Sequence, residues 1–145
     1  MDKHEARIIA IAGSILSIFL FAILYNAFSR KIDVPACVPF NTTFENPQLK
    51  KVENGTYELY MVAHMWAFTP DEIEIPKGAT VDLYLSSKDV VHGFNIMEKD
   101  VNLMAVPGAI NKTTLHFDKA GIYNIVCHEY CGAGHQNMLG KIIVK

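Results

Sequence analysis

Between Ile8 and Phe28 the chain runs for 21 residues without a charged side chain. At ~1.5 Å per helical residue that run is about 30 Å long, the thickness of the hydrocarbon core of a bilayer. A cleaved signal peptide is the competing reading. Its apolar core usually has only ~7–15 residues, and Asn26-Ala27-Phe28-Ser29-Arg30 lacks a small-x-small cleavage pattern. The expectation is a tail and one transmembrane α-helix over residues 1–31.

Basic residues flank the run on both sides, Lys3 and Arg7 before it and Arg30 and Lys31 after it, so charge discriminates poorly between orientations. With so few residues ahead of the helix, the simplest topology keeps the N-terminus inside and exports the rest. The first 31 residues hold four basic and two acidic side chains, which leaves nine basic and thirteen acidic, a net of −4, for the remainder. A mildly acidic exported domain suits a basic partner, and nothing in the charge pattern calls for nucleic acid.

Residues 32–55 read as a linker, broken by Pro35, Pro39 and Pro47 and rich in asparagine. From Thr56 onward short strand signals follow one another. Tyr57 to Ala63 is β-prone, and Ile73-Glu74-Ile75 alternates before a Pro76-Lys77-Gly78 turn. Val81, Leu83 and Leu85 alternate with polar neighbours. Further runs cover Val90 to Met97, Thr113 to Phe117, Ile122 to Val126 and Leu139 to Val144. Seven or so strands with turns every eight to twelve residues point to an all-β Greek-key sandwich over residues 56–145.

The last two runs are joined by Cys127-His128-Glu129-Tyr130-Cys131-Gly132-Ala133-Gly134-His135-Gln136-Asn137-Met138. Two thiols, an imidazole and a thioether form a ligand set for copper, iron–sulfur or zinc. The glycines let the backbone curl around one centre. His92, on an earlier strand and followed by Gly93, supplies a ligand from elsewhere, because a glycine lets another backbone come close. Structural zinc would use both cysteines with His135 and His92 but leave Met138 idle. A blue-copper site would use one cysteine, two histidines and the methionine. A Cys127–Cys131 disulfide would leave the histidines and the methionine unexplained. A copper pair bridged by both thiolates uses every residue. Cys37 stands alone, and no role is expected for it.

The pattern Cys127-x-Glu129-x-Cys131-Gly132-x-x-His135-x-x-Met138, with Asp89-Val90-x-His92-x-Phe94 upstream, resembles the dinuclear CuA centre of cytochrome c oxidase subunit II. The likeness spans about Met61 to Lys145 and includes Pro70, the turn at Pro76 to Gly78, and Val106-Pro107-Gly108. It implies a cupredoxin-like sandwich anchored in the cell inner membrane, with the N-terminus cytoplasmic and the copper domain periplasmic. It implies that Cys127 and Cys131 bridge two copper ions, with His92 and Met138 serving one and His135 and the Glu129 carbonyl the other. The Glu129 side chain matches a residue that in many members also binds magnesium at the interface with subunit I. The implied work is to accept electrons from cytochrome c and pass them to haem in subunit I, where oxygen is reduced and protons are pumped. The implied partners are subunit I, cytochrome c and membrane lipid.

Three departures stand out. One span replaces the usual two-helix hairpin, which resembles the compact oxidases with b-type and a-type haems of thermophilic bacteria. Ala109 stands where an arginine usually follows Pro-Gly. The aromatic cluster that receives electrons is reduced to Met65-Trp66-Ala67-Phe68, with Trp66 the best candidate for where electrons enter and Phe68 beside it. Nitrous oxide reductase shares the copper pair but on a long chain with a propeller, and quinol oxidase subunit II lacks the ligands. A membrane-anchored copper carrier or chaperone with one exchangeable copper is the alternative from another class.

Overall fold

The structure, a computed structural model, describes residues 2–30, 36–37, 46–52 and 55–145, with backbone alone at 30, 36 and 37. It divides into two units, residues 1–33 and 34–145.

The first unit is helix α1 (Lys3–Arg30). It is long and apolar enough to cross a membrane, and its large apolar side chains, such as Leu16 and Phe21, are exposed. The hydroxyls of Ser14 and Ser17 donate to the carbonyls of Ala10 and Gly13 at 2.8 Å, and the Asn26 amide donates to Ala22 at 3.1 Å. These local bonds satisfy polar groups that a bilayer could not.

The second unit is a β-sandwich of eleven strands among the described residues. They are β1 (Ala36–Cys37), β2 (Gln48–Lys51), β3 (Thr56–His64), β4 (Ala67–Thr69), β5 (Glu72–Ile75), β6 (Ala79–Ser87), β7 (His92–Ile96), β8 (Val101–Ala105), β9 (Asn111–Phe117), β10 (Gly121–Val126) and β11 (Leu139–Val144). One sheet runs β1-β9-β6-β3-β2, with β4 also on β3, and the other runs β5-β11-β10-β7-β8. The pairs β3–β6 and β5–β11 are parallel and the remaining pairs antiparallel.

Period-two alternation decides which face is buried. Leu59, Met61 and Ala63 of β3 and Val81, Leu83 and Leu85 of β6 point inward from the first sheet; Phe94 and Ile96 of β7, Ile125 of β10 and Ile142 of β11 do so from the second. Rings meet edge-on across the gap, Phe68 with Phe94 at 5.6 Å and Phe117 with Tyr123 at 5.1 Å between centroids. Such contacts add to the stabilisation from area burial.

The expected linker over 32–55 lies partly outside the described residues, as does the side chain of Cys37. Where it is described it carries β1 and β2. Strand β2 is Gln48-Leu49-Lys50-Lys51, an edge strand whose lysines are exposed. Edge strands bury little, so they show no alternating pattern, and lysines suit them because they discourage further pairing. The short strands β4 and β8 were likewise not legible as runs.

Candidate metal centre

The ladder of β10 on β11 ends at Val126↔Leu139. The next residues, Cys127 and Met138, are joined by the Cys127 amide donating to the Met138 carbonyl at 3.2 Å. This bond forms the neck of the loop. Val126 also pairs with Asn95 of β7, which brings His92 at the start of β7 towards the same neck. Inside the loop, the amide of His135 donates to the carbonyl of Gly132, and that of Met138 to His135, so the chain turns tightly over 135–137. Gly132 takes a φ of +115°, open to glycine and strained for other residues.

The ligand atoms converge. Cys127 Sγ and Cys131 Sγ lie 3.7 Å apart. The Cys127 thiol donates to the Glu129 carbonyl at 3.3 Å, while Cys131 Sγ is 3.6 Å from His135 Nδ1 and 3.8 Å from Met138 Sδ. One ring nitrogen of His92 and both sulfurs fall within 4.8 Å of one another. His92, Cys127, Cys131 and Met138 are buried and His135 half-buried. The cysteines are free thiols, not a disulfide.

His92 carries the sharpest sign that an ion belongs here. Its Nε2 lies 2.8 Å from Asp89 Oδ1. A carboxylate only accepts, so Nε2 bears the proton and Nδ1 a lone pair. That Nδ1 is buried and has no hydrogen-bond partner among the described residues. Leaving such an atom unmet costs about 1–3 kcal/mol. A histidine that ligates a metal commonly donates its other ring N–H to a carboxylate in this way. The residues fit copper: soft sulfurs, imidazole nitrogen, a carbonyl oxygen and a thioether come together at one end of the sandwich.

Two electrostatic consequences follow. Burial alone would raise the Asp89 carboxyl, but the bonds it accepts from His92 and from the amides of Met65 and Val90 outweigh this and hold it at about 2. The Cys131 thiol is pushed up to about 11, first by burial and then by its neighbour Cys127 and the charge of Asp89. Without a cation the thiol keeps its proton.

Glycines let the parts close up. A Cβ on Gly93 would stand 2.6 Å from the Glu129 amide nitrogen and 2.7 Å from that of His128, so the glycine beside His92 does admit another backbone. A Cβ on Gly134 would meet Trp66 Cδ2 at 2.4 Å, and one on Gly132 would meet Trp66 Nε1 at 3.1 Å. The two loop glycines thus form the seat of Trp66, whose indole N–H donates to the Cys131 carbonyl at 3.0 Å.

All six expected ligand positions therefore gather in one place. His128 and the side chain of Glu129 are exposed, and the strand histidines His64 and His116 pair with the hydroxyls of Thr69 and Thr80. Trp66 is 41 % exposed, whereas Phe68 is 1 % exposed in the core. Phe68 is thus out of reach of a docking protein, which narrows the expectation to Trp66. In the sequence Asp89 stands out only as part of the motif Asp89-Val90-x-His92-x-Phe94. Its position three residues before a buried histidine was the available signal for its role.

The chain is similar to several known proteins. Residues 40–145 match the family model described as cytochrome c oxidase subunit II, periplasmic domain. The chain is 30% identical to a cytochrome c oxidase subunit 2 of Thermus thermophilus, over 98% of this chain and 92% of that one. A second Thermus thermophilus cytochrome c oxidase subunit 2 is 35% identical over 77% of this chain and 84% of its own length. Among solved structures, a chain of a heme-copper terminal oxidase dimer is similar with a TM-score of 0.85 at 41% identity, covering 99% of this chain and 100% of that one. The periplasmic domain of subunit II of the Bradyrhizobium japonicum cytochrome oxidase shares the fold, with a TM-score of 0.57 at 21% identity over 68% and 88% of the two chains.

Proposed function

The chain belongs to the family of cytochrome c oxidase subunit II, and from that premise we propose that it is the subunit through which electrons enter a haem-copper terminal oxidase. Cys127 and Cys131, as thiolates, would hold two copper ions, with His92, Met138, His135 and the Glu129 carbonyl as the further ligands. The buried, unpartnered Nδ1 of His92, with Asp89 fixing the opposite nitrogen, is the observation that carries this reading. When bound, the copper pair supplies a one-electron redox couple.

The residues of the chain do the rest. The ligands sit at strand ends and in a loop tied at its neck, so the protein has little to rearrange when charge changes. Exclusion of water by Phe94, Met138 and the surrounding core strengthens electrostatic interactions within the site. Trp66, exposed and bonded to the Cys131 carbonyl, receives electrons from a soluble cytochrome c. Met65, Val90, Val91 and Tyr130 are exposed apolar residues from the same segments, and they offer the donor a docking face. The subunit passes electrons to haem in subunit I, where oxygen is reduced and protons are pumped. The exposed Glu129 side chain would be the residue to hold a magnesium ion at the face shared with that partner. Helix α1 holds the subunit in the cell inner membrane, N-terminus in the cytoplasm and copper domain in the periplasm.

Copper analysis with electron paramagnetic resonance on the loaded full chain in detergent tests the proposal. Two coppers per chain sharing one unpaired electron equally are expected. One easily chelated copper would instead fit a carrier or chaperone.

A further inference from the structure

We propose that Asp89 is a two-handed positioning residue that locks the tautomer of His92 and, through Met65, holds Trp66 against the metal-binding loop. The proposal rests on the reading of His92 as a copper ligand and extends it to how the ligand and the electron-receiving ring are held together.

Each carboxylate oxygen of Asp89 has its own task. Oδ1 accepts from His92 Nε2 at 2.8 Å and from the Val90 amide at 2.7 Å. Oδ2 accepts from the Met65 amide at 2.7 Å, a partner 24 residues away in the chain. Met65 and Trp66 form the turn between β3 and β4, and the Trp66 indole N–H reaches the Cys131 carbonyl. A ring of contacts therefore closes: His92 to Asp89, Asp89 to Met65, along the chain to Trp66, and from Trp66 to Cys131. The backbone that carries Asp89 is itself held. The Ser87 hydroxyl donates to the Val90 carbonyl and accepts from the Asp89 amide at 3.3 Å, and the Lys88 amide donates to the Ala63 carbonyl at 3.0 Å. The carboxylate thus joins the imidazole of His92 to the turn that carries Trp66.

A carboxylate is required because its two oxygens accept from three N–H groups, with the Ser87 hydroxyl a longer fourth contact on Oδ1 at 3.5 Å. An asparagine has only one accepting oxygen. Turned towards Val90 and His92, it would satisfy two donors and oppose its NH2 to the Met65 amide. Asp89→Asn should therefore keep the histidine arm and lose the Met65 arm, whereas Asp89→Ala should lose both.

The test uses the metal-free full chain in detergent, so that it does not depend on copper. Nitrogen-15 shifts of the His92 ring report its tautomer, and solvent exchange of the Trp66 indole proton reports the turn. Wild type should carry its proton on Nε2 and exchange the indole proton slowly. In Asp89→Ala both tautomers should appear, and indole exchange should quicken about tenfold or more. In Asp89→Asn only the indole exchange should quicken. A folded Asp89→Ala chain in which either readout stays at its wild-type value overturns the proposal. Should that variant fail to fold, Asp89→Asn decides alone: indole exchange unchanged from wild type sinks the idea. Failure of the copper-ligand reading shows separately, as a His92→Ala chain whose copper content and absorption spectrum match wild type.

Discussion

The sulfur of Cys131 lies within 3.8 Å of three other donors, and its closest approach to another sulfur is the 3.7 Å to Cys127. That separation exceeds a disulfide bond of about 2.05 Å but lets one ion touch both atoms. Cys131 is therefore the residue whose loss should be felt most. Replacing it with serine keeps the size and swaps a soft donor for a hard one. Cys131→Ser should reduce copper from two per chain to one or none, and any remaining signal should be that of an electron localised on a single copper. Copper analysis with paramagnetic resonance checks both. An unchanged spectrum would remove Cys131 from its bridging role.

The candidate ligands were legible in the sequence because sulfur and imidazole fall at steps of four, four and three within one loop. His92 was legible through the glycine beside it, and the structure agrees, since the backbone of His128 and Glu129 passes where a Cβ on Gly93 would stand. The major strands were legible from alternation, as in Val81-x-Leu83-x-Leu85. What escaped was held by single contacts rather than patterns. Strand β2 is a lysine-bearing edge with one half-buried leucine. Asp89 acts through two oxygens on partners three and 24 residues away. Phe68 looked like Trp66 in sequence, but it lies within β4 and faces the core, whereas Trp66 occupies the turn before it.

Gly93 offers a test of the close packing at the site. A Cβ there would press on the backbone nitrogens of Glu129 and His128 at 2.6 and 2.7 Å, and backbone in a tied loop cannot move aside cheaply. Gly93→Ala should destabilise the metal-free chain by about 1–3 kcal/mol, the usual range for overpacking a tight site. It should also weaken copper binding by displacing the Glu129 carbonyl. Denaturant unfolding and a copper titration measure the two effects. Wild-type values for both would mean that the loop yields more easily than its hydrogen bonds suggest.

The raised Cys131 thiol sets a pH dependence whose sign can be worked out. An unfolded thiol titrates near 8.5, and the folded one at about 11. The folded chain thus holds this proton more tightly than the unfolded chain. Its contribution to stability is complete below the unfolded value and is lost as pH climbs from there through the folded value. Copper must expel the same proton, so loading at neutral pH should release acid, and each proton released should make apparent affinity rise about tenfold per pH unit. Titrating copper into weakly buffered protein with an indicator dye would reveal the release. Loading without acid release would show that Cys131 is not bound as a thiolate.

Trp66 and Phe68 are two residues apart, yet they should fail in different ways when changed. Trp66 is exposed over the loop and bonded to Cys131; Phe68 is sealed in the core against Phe94. Trp66→Leu should lower stability by only about 1 kcal/mol, the usual worth of its lost hydrogen bond, and slow electron uptake from a reduced cytochrome c by about tenfold or more, each factor of ten matching ~1.4 kcal/mol in barrier. Phe68→Ala should do the reverse, lowering stability by about 3–5 kcal/mol through lost burial and a residual cavity, with uptake by the folded fraction close to normal. Stopped-flow mixing of the loaded chain with donor, alongside denaturant unfolding, separates the two. If Phe68→Ala slowed uptake in folded protein as much as Trp66→Leu, electrons would not be entering through the exposed ring.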